Sequence, residues 1–348
     1  MIEASAPPTP AMPYLRLRWV AAPLLALAAT LVALSIGRYP VPASETIHFL
    51  LAAAGLAPME PGRYALLHNL IVEIRLPRVL AAILVGAALS VSGAAYQALF
   101  RNPLVSPGLL GVLAGASAGA ALGILLDGNW LLVQTSAFAL GLAAVGIAVG
   151  IAHAFGGGSI IMLILGGILS GALFASLLTM VKYVADPYSQ LPAIVYWLMG
   201  SLGQATTGDI AWAAVPMLAG IVLLCLMGRA LDALSMGDDE ARALGVPVTA
   251  VRLVTIGTAT LISAMTVSIA GMIGWIGLIV PHIARLLVGP GNALLLPVSA
   301  SLGAAFLLFS DGLARNLFTT ELPIGIVTEL LGIPVFLIVL RRVRRGWT

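Results

Sequence analysis

The chain has 348 residues, 60% of them hydrophobic and only 9% charged, with a mean hydropathy of +1.08 and a formal net charge of +3. Soluble domains carry roughly 45–50% apolar residues, so this composition excludes an ordinary soluble enzyme and requires a membrane protein. One cysteine, Cys225, inside an apolar segment, excludes a disulfide framework or a zinc site and reads as a buried inert thiol.

Residues 1–16 form a Pro- and Ala-rich tail, and Arg16 and Arg18 then lead into an apolar run from Trp19 to Gly37. The run is long for a signal peptide and lacks a small-residue cleavage site, so it is read as a retained first helix. Charge gaps and Gly/Pro breaks predict ten transmembrane helices, near 17–37, 78–100, 108–126, 131–154, 159–184, 209–229, 249–270, 275–289, 294–315 and 325–342. Between Gly128 and Val181 there is no Asp, Glu, Lys or Arg. A spanning helix uses about 20 such residues, so this stretch must hold two helices, with the turn at Gly156-Gly157-Gly158.

The predicted class is therefore an all-α, polytopic integral membrane protein, with a ten-helix transmembrane bundle over 17–342 and a basic tail at 343–348. Placing both termini in the cytoplasm puts Arg16, Arg18, Arg101, Arg229, Arg242, Arg252, Arg285, Arg341, Arg342, Arg344 and Arg345 on the inner side. That leaves Arg38, Arg63, Arg75, Arg78, Lys182 and Arg315 outside, and the positive-inside rule favours this direction. Gly111, Gly115, Gly119 and Gly123 recur every four residues, giving the third helix a face of bare backbone suited to close packing within one subunit or, as the alternative, to a subunit interface. Gly86, Ser90 and Gly93 make a shorter version in the second helix. A faint likeness of residues 91–103 to 267–281 suits an inverted repeat.

The only lysine, Lys182, follows Val181, so the chain has no GxxxxGK[ST] phosphate loop and no means of hydrolysing ATP by itself. His48, His68, His153 and His282 are scattered, with no HExxH and no pair at ligand spacing, and no GxSxG elbow occurs. Asp311 and Arg315 read as an i,i+4 pair. Glu329, inside the tenth helix, is the one unexplained intramembrane charge and keeps an ion-coupled carrier as an alternative.

Against this background GDDEARALG, residues 237–245, concentrates Asp238, Asp239, Glu240 and Arg242 in the connector between the sixth and seventh helices. Acids at the start, Gly245 after the end and Pro247 beyond describe a short capped helix. Here the chain resembles the permease subunits of the type II ATP-binding-cassette importers, the iron-chelate and vitamin B12 group. The likeness runs through RLPR (75–78), SGAAYQALFRNPLVSPGLLG (92–111), YWLMGSL (196–202), DDEARALG (238–245), GWIGLIVPHIARLL (274–287), SDGLAR (310–315), ELPIG (321–325) and GIPVF (332–336).

The resemblance implies a ten-helix subunit of the vitamin B12 importer type, working as a homodimer with the transport path between two copies in the bacterial inner membrane. It also implies two separate ATPase subunits, which hold the ATP and Mg, and a periplasmic binding protein; no cofactor or metal is bound by this chain and nucleic acid has no part. Within it, Asp238, Asp239, Glu240, Arg242, Ala243, Leu244 and Gly245, in a loop of about 235–246, match the coupling helix that seats in the ATPase. Arg75, Arg78 and Arg315 match arginines that receive the binding protein's carboxylates, and an interfacial, lipid-facing role is the plain alternative. Asn102, Pro103 and Leu104, with Gly158 and Ser159, match the cytoplasmic gate, although Asn and Pro also serve as ordinary helix-ending residues. The cargo expected is a haem or ferric siderophore, then cobalamin, then an oxyanion such as molybdate. Lys182 reads as an interfacial lysine, or as a partner for an anionic cargo group.

Overall fold

A computed structural model describes residues 13–37, 39–156 and 159–344, and shows no strand among them. Fifteen α-helices follow one another: α1 (Pro13–Ser35), α2 (Ala43–Ala53), α3 (Pro61–His68), α4 (Leu76–Leu99), α5 (Val112–Leu125), α6 (Trp130–Gly156), α7 (Ile160–Val184), α8 (Gln190–Leu198), α9 (Thr207–Leu226), α10 (Gly228–Met236), α11 (Asp238–Ala243), α12 (Val248–Ala270), α13 (Ile276–Val288), α14 (Asn292–Asn316) and α15 (Ile324–Arg344). Among the described residues six helical stretches are long and apolar enough to cross a membrane, and four shorter apolar helices lie at Val20–Ser35, Val112–Leu125, Ile276–Val288 and Ile324–Ile338. Each of the ten segments expected from the sequence overlaps one of these, and six of them fall on helices of spanning length. Gly157 and Gly158 lie outside the described residues.

Helix α4 is the axis of the bundle, packed by α14, α12, α13, α9 and α1. Such packing within a membrane depends on small residues rather than on expulsion of water. A Cβ on Gly86 would overlap the Gly303 carbonyl of α14, and one on Gly93 would overlap the Gly277 carbonyl of α13. The glycine face of α5 serves the same end inside the subunit. Gly115 and Gly119 press on the backbone at Leu140 and Ser136 of α6, and a Cβ on Gly123 would sit 2.9 Å from the Val133 Cα.

Several polar side chains in this core are bonded, while the buried hydroxyls of Ser90 and Ser299 have no hydrogen-bond partner among the described residues. Tyr96 hydroxyl lies 2.8 Å from the Thr260 hydroxyl, Ser263 donates to Ser92 at 3.1 Å, and the Gln97 amide donates to the Leu278 carbonyl at 3.2 Å while accepting from Arg285 at 3.2 Å.

The entry into α4 differs from the expectation. Instead of starting near residue 78, helical backbone runs unbroken from Pro61 to Leu99, through a π-helical turn at Asn69–Arg75. Pro77 accounts for the turn: its ring cannot follow an i−4 carbonyl closely, and widening the helix by one residue relieves the clash. The Leu76 N–H accordingly reaches back to the Ile71 carbonyl. Arg75 therefore does not stand at a free helix N-terminus. Helices α2, α3, α8 and α10 were not expected either; each has eleven residues or fewer.

Candidate functional site: two charged ends of the bundle

At the end of the bundle where α1 and α14 finish and α4 begins, the three arginines expected to act together do meet. Arg75 is 5% exposed and donates to the carbonyls of Leu34 at 2.5 Å, Ser35 at 3.0 Å and Tyr39. Those first two are carbonyls at the end of α1, which have no partner inside their own helix; Arg75 thus caps α1.

Arg78 places Nε 2.8 Å from Asp311 and Nη1 3.0 Å from Glu321, while Arg315 lies 3.0 Å from the other Asp311 oxygen at an angle that makes it a charge contact rather than an aligned hydrogen bond. Arg315 also donates to the Ile36 and Ala33 carbonyls at 3.3 and 3.4 Å. Asp311 is fully buried. A lone carboxylate there would cost several kcal/mol, roughly, and two flanking guanidiniums offset that.

The i,i+4 pair read from the sequence is present, but Arg78 as its third member was not anticipated, because residue 78 and residue 311 are far apart in the chain. RLPR, SDGLAR and ELPIG converge through these ion pairs. YWLMGSL joins them through the main chain, where Ile324 and Gly325 N–H groups bond the Gly200 and Met199 carbonyls at 3.2 and 3.0 Å. The result is a cavity of about 420 Å³ lined by Arg75, Arg78, Arg315 and Glu321 among others, with three guanidiniums facing one carboxylate. Chemically, such a lining is complementary to an acidic group.

At the opposite end, the charged stretch forms the expected short helix. Gly237 (φ +151°) opens α11, and Gly245 (φ +78°) closes it, with the Gly245 and Val246 N–H groups on the Arg242 and Ala241 carbonyls at 2.9 Å each. Both backbone positions favour glycine. Ala241 is buried and Asp238 is turned partly inward, whereas Asp239, Glu240, Arg242, Ala243 and Leu244 are exposed on one surface. Arg242 pairs with Asp239 at 2.8 Å, an exposed contact worth little in itself.

Asp238, by contrast, accepts from Arg252 at 2.8 and 3.0 Å and from Arg101 at 3.3 Å. Sequence reading grouped it with its exposed neighbours; helical spacing separates them. Beside it, Asn102 accepts from the Leu104 N–H at 2.9 Å, closing a local turn after α4, with Leu104 exposed. Ser159 leads into α7 without a side-chain cap, and Gly158 is outside the described residues.

Lys182 sits half-exposed in the last turn of α7, and Glu329 is exposed on α15. Among the described residues no group of three or more His, Cys, Asp or Glu side chains could hold a metal ion.

The sequence matches the model of the FecCD transport family over residues 24–342. It is similar to the molybdate import system permease protein MolB of Haemophilus influenzae, at 36% identity over 93% of this chain and 95% of that protein. The hemin transport system permease protein HmuU of Yersinia pestis is 39% identical over 78% of this chain and 83% of its own length. A solved structure described as an inward-facing conformation of a transporter assigned to the metal-chelate ABC type superposes with a TM-score of 0.82, at 34% identity, covering 93% of this chain and 98% of that one. The chain belongs to the FecCD transport family and is a multi-pass permease subunit of the ATP-binding-cassette importers.

Proposed function

We propose that two copies of this chain form the membrane path of an importer that moves a metal chelate, haem or a ferric siderophore, from a binding protein outside the bacterial inner membrane to the cytoplasm. All ten apolar helices cross in this reading, with both termini inside. The observation that carries it is the pairing of two specialised ends: a cavity rich in guanidinium at one and a self-contained helix with an exposed charged face at the other.

The arginine end receives carboxylates of the binding protein. Glu321 is 41% exposed on its side chain, so an incoming acid can replace it on Arg78 without disturbing Asp311. Charge complementarity of this kind raises association rates more than affinity. The other end docks an ATPase subunit, which supplies the ATP and Mg chemistry, through Asp239, Glu240, Arg242, Ala243 and Leu244, and Asn102, Pro103, Leu104, Gly158 and Ser159 narrow the inner exit.

Helix α7 exposes Ile161, Leu165, Ile168, Leu169, Leu173 and Met180. That apolar face suits a second copy and a bulky, partly apolar cargo passing between the two. The likeness to a molybdate permease over nearly the whole chain favours an oxyanion as the second reading; cobalamin stands behind it.

The test is ATPase activity of the complete complex in lipid nanodiscs, with the binding protein loaded in turn with haem, a ferric siderophore, cobalamin and molybdate. Stimulation by a chelate alone supports the first reading. Stimulation by molybdate alone transfers the assignment to oxyanions.

A further inference from the structure

Helix α4 ends in a way its backbone does not favour. Arg101 has φ +51°, and its N–H and that of Asn102 bond the Ala98 and Gln97 carbonyls at 3.2 and 3.1 Å, the closing pattern in which glycine is the usual residue. A side chain in this left-handed conformation costs roughly 1–2 kcal/mol. The cost is tolerated for what the side chain reaches: Arg101 Nη2 lies 3.3 Å from Asp238 Oδ1, at the first residue of α11. The same carboxylate is held by Arg252, in α12, through both oxygens.

One carboxylate therefore joins the ends of three helices, α4, α11 and α12. It does so where side chains are 38%, 29% and 14% exposed for Arg101, Asp238 and Arg252, so salt screens the contacts less than it would at an open surface. The rest of α11 is loosely tied. It is six residues long, sits between Gly237 and Gly245, and buries Ala241 alone. Immediately beyond Arg101 lies Asn102-Pro103-Leu104, whose turn is fixed by the Asn102 side chain.

We propose that the Arg101–Asp238–Arg252 triad is the strut through which displacement of α11 reaches the inner end of α4 and the 102–104 turn, with Asp238 and Arg101 as positioning residues. The inference rests on the reading of α11 as the ATPase-docking element. Two faces of one short helix then divide the work. Residues 239, 240 and 242–244 meet the motor, and residue 238 passes its movement on.

The experiment uses the full complex of permease, ATPase subunits and binding protein in proteoliposomes, and reads cargo moved per ATP hydrolysed together with the melting temperature. Arg101→Gly relieves the left-handed backbone, so its melting temperature should equal or exceed the wild-type value. Its cargo-to-ATP ratio should fall about tenfold, equivalent to about 1.4 kcal/mol. Arg101→Lys, which keeps the charge, should restore most of the ratio, and adding Asp238→Asn to Arg101→Gly should lower it no further, the signature of a shared interaction.

A wild-type ratio in Arg101→Gly, or full additivity in the double variant, overturns the strut. Arg242→Glu separates the two claims. If it loses the ATPase while Arg101→Gly transports normally, the strut alone falls; if it keeps a coupled ATPase, the docking reading fails and takes the strut with it.

Discussion

Asp311 is the sharpest point at which the fold can be tested. Asp311→Asn removes a fully buried carboxylate that Arg78 approaches at 2.8 Å and Arg315 at 3.0 Å. Arg78 retains Glu321, but that carboxylate is 41% exposed and such pairs contribute about 0–1 kcal/mol. Arg315 retains only the Ile36 and Ala33 carbonyls, at 3.3 and 3.4 Å. Breaking a buried pair from one side costs about 3–5 kcal/mol. Asparagine can still accept one hydrogen bond, so the lower end applies, about 140-fold in the unfolding equilibrium at about 3 kcal/mol.

Reversible unfolding in mixed micelles measures this directly. The double variant Asp311→Leu with Arg315→Met removes both charges of the i,i+4 pair and should recover the part of the loss that Arg315 carries, leaving Arg78 with Glu321 alone. A single-variant loss below about 0.5 kcal/mol, or a double variant worse than the single, would show that the carboxylate does not neutralise the arginines as described.

Other expectations concern packing, coupling, docking and pH. Gly93→Ala places a methyl against the Gly277 carbonyl, and the forced separation of α4 and α13 should cost about 1–3 kcal/mol in the same unfolding measurement; unchanged stability would contradict the close crossing. Arg242→Glu and Leu244→Asp alter the exposed face of α11, so the permease should remain folded in the membrane while ATP hydrolysis no longer drives uptake. Glu321→Gln frees Arg78 for an incoming carboxylate, and binding-protein association measured by stopped flow should accelerate at low salt; an unchanged rate counts against partner exchange. The Arg63 guanidinium, hydrogen-bonded to Glu45, holds its carboxyl below the usual range. A depressed carboxylate stabilises the fold above its unfolded value and loses that contribution as pH falls through the folded value. Hydrogen exchange across α2 and α3 should therefore quicken as Glu45 protonates on acidification, and Glu45→Gln should abolish the pH response.

The apolar helices, six of them of spanning length among the described residues, were legible because lipid enforces long uncharged runs, and charge gaps mark their ends. The α5 glycine face was legible for a related reason: Gly115, Gly119 and Gly123 share one spacing that has few uses other than close approach, while Gly111 precedes the helix in a left-handed turn. The short helix at 238–243 announced itself through Gly245 and clustered acids. What was hidden depends on chain segments far apart in sequence. Arg75, read as an outward arginine, is satisfied by carbonyls of α1, and Arg78 finds Asp311 on α14; neither partner can be inferred from spacing. The helical stretch leading into α4 from Pro61 was missed because Glu73, Arg75 and Arg78 interrupt the apolar run without interrupting the helix. Asp238 was grouped with Asp239 and Glu240 by adjacency, whereas the helix turns it toward Arg101 and Arg252.

The most direct test of the central claim is cargo uptake into proteoliposomes holding two copies of this chain with the ATPase subunits, begun by loaded binding protein and ATP, with the proton gradient collapsed by an ionophore. Uptake that depends on ATP, persists without the gradient and is lost in Arg242→Glu is the result the account predicts. Uptake that continues without ATP, collapses with the gradient and is lost in Glu329→Gln would contradict it and make the chain an ion-coupled carrier.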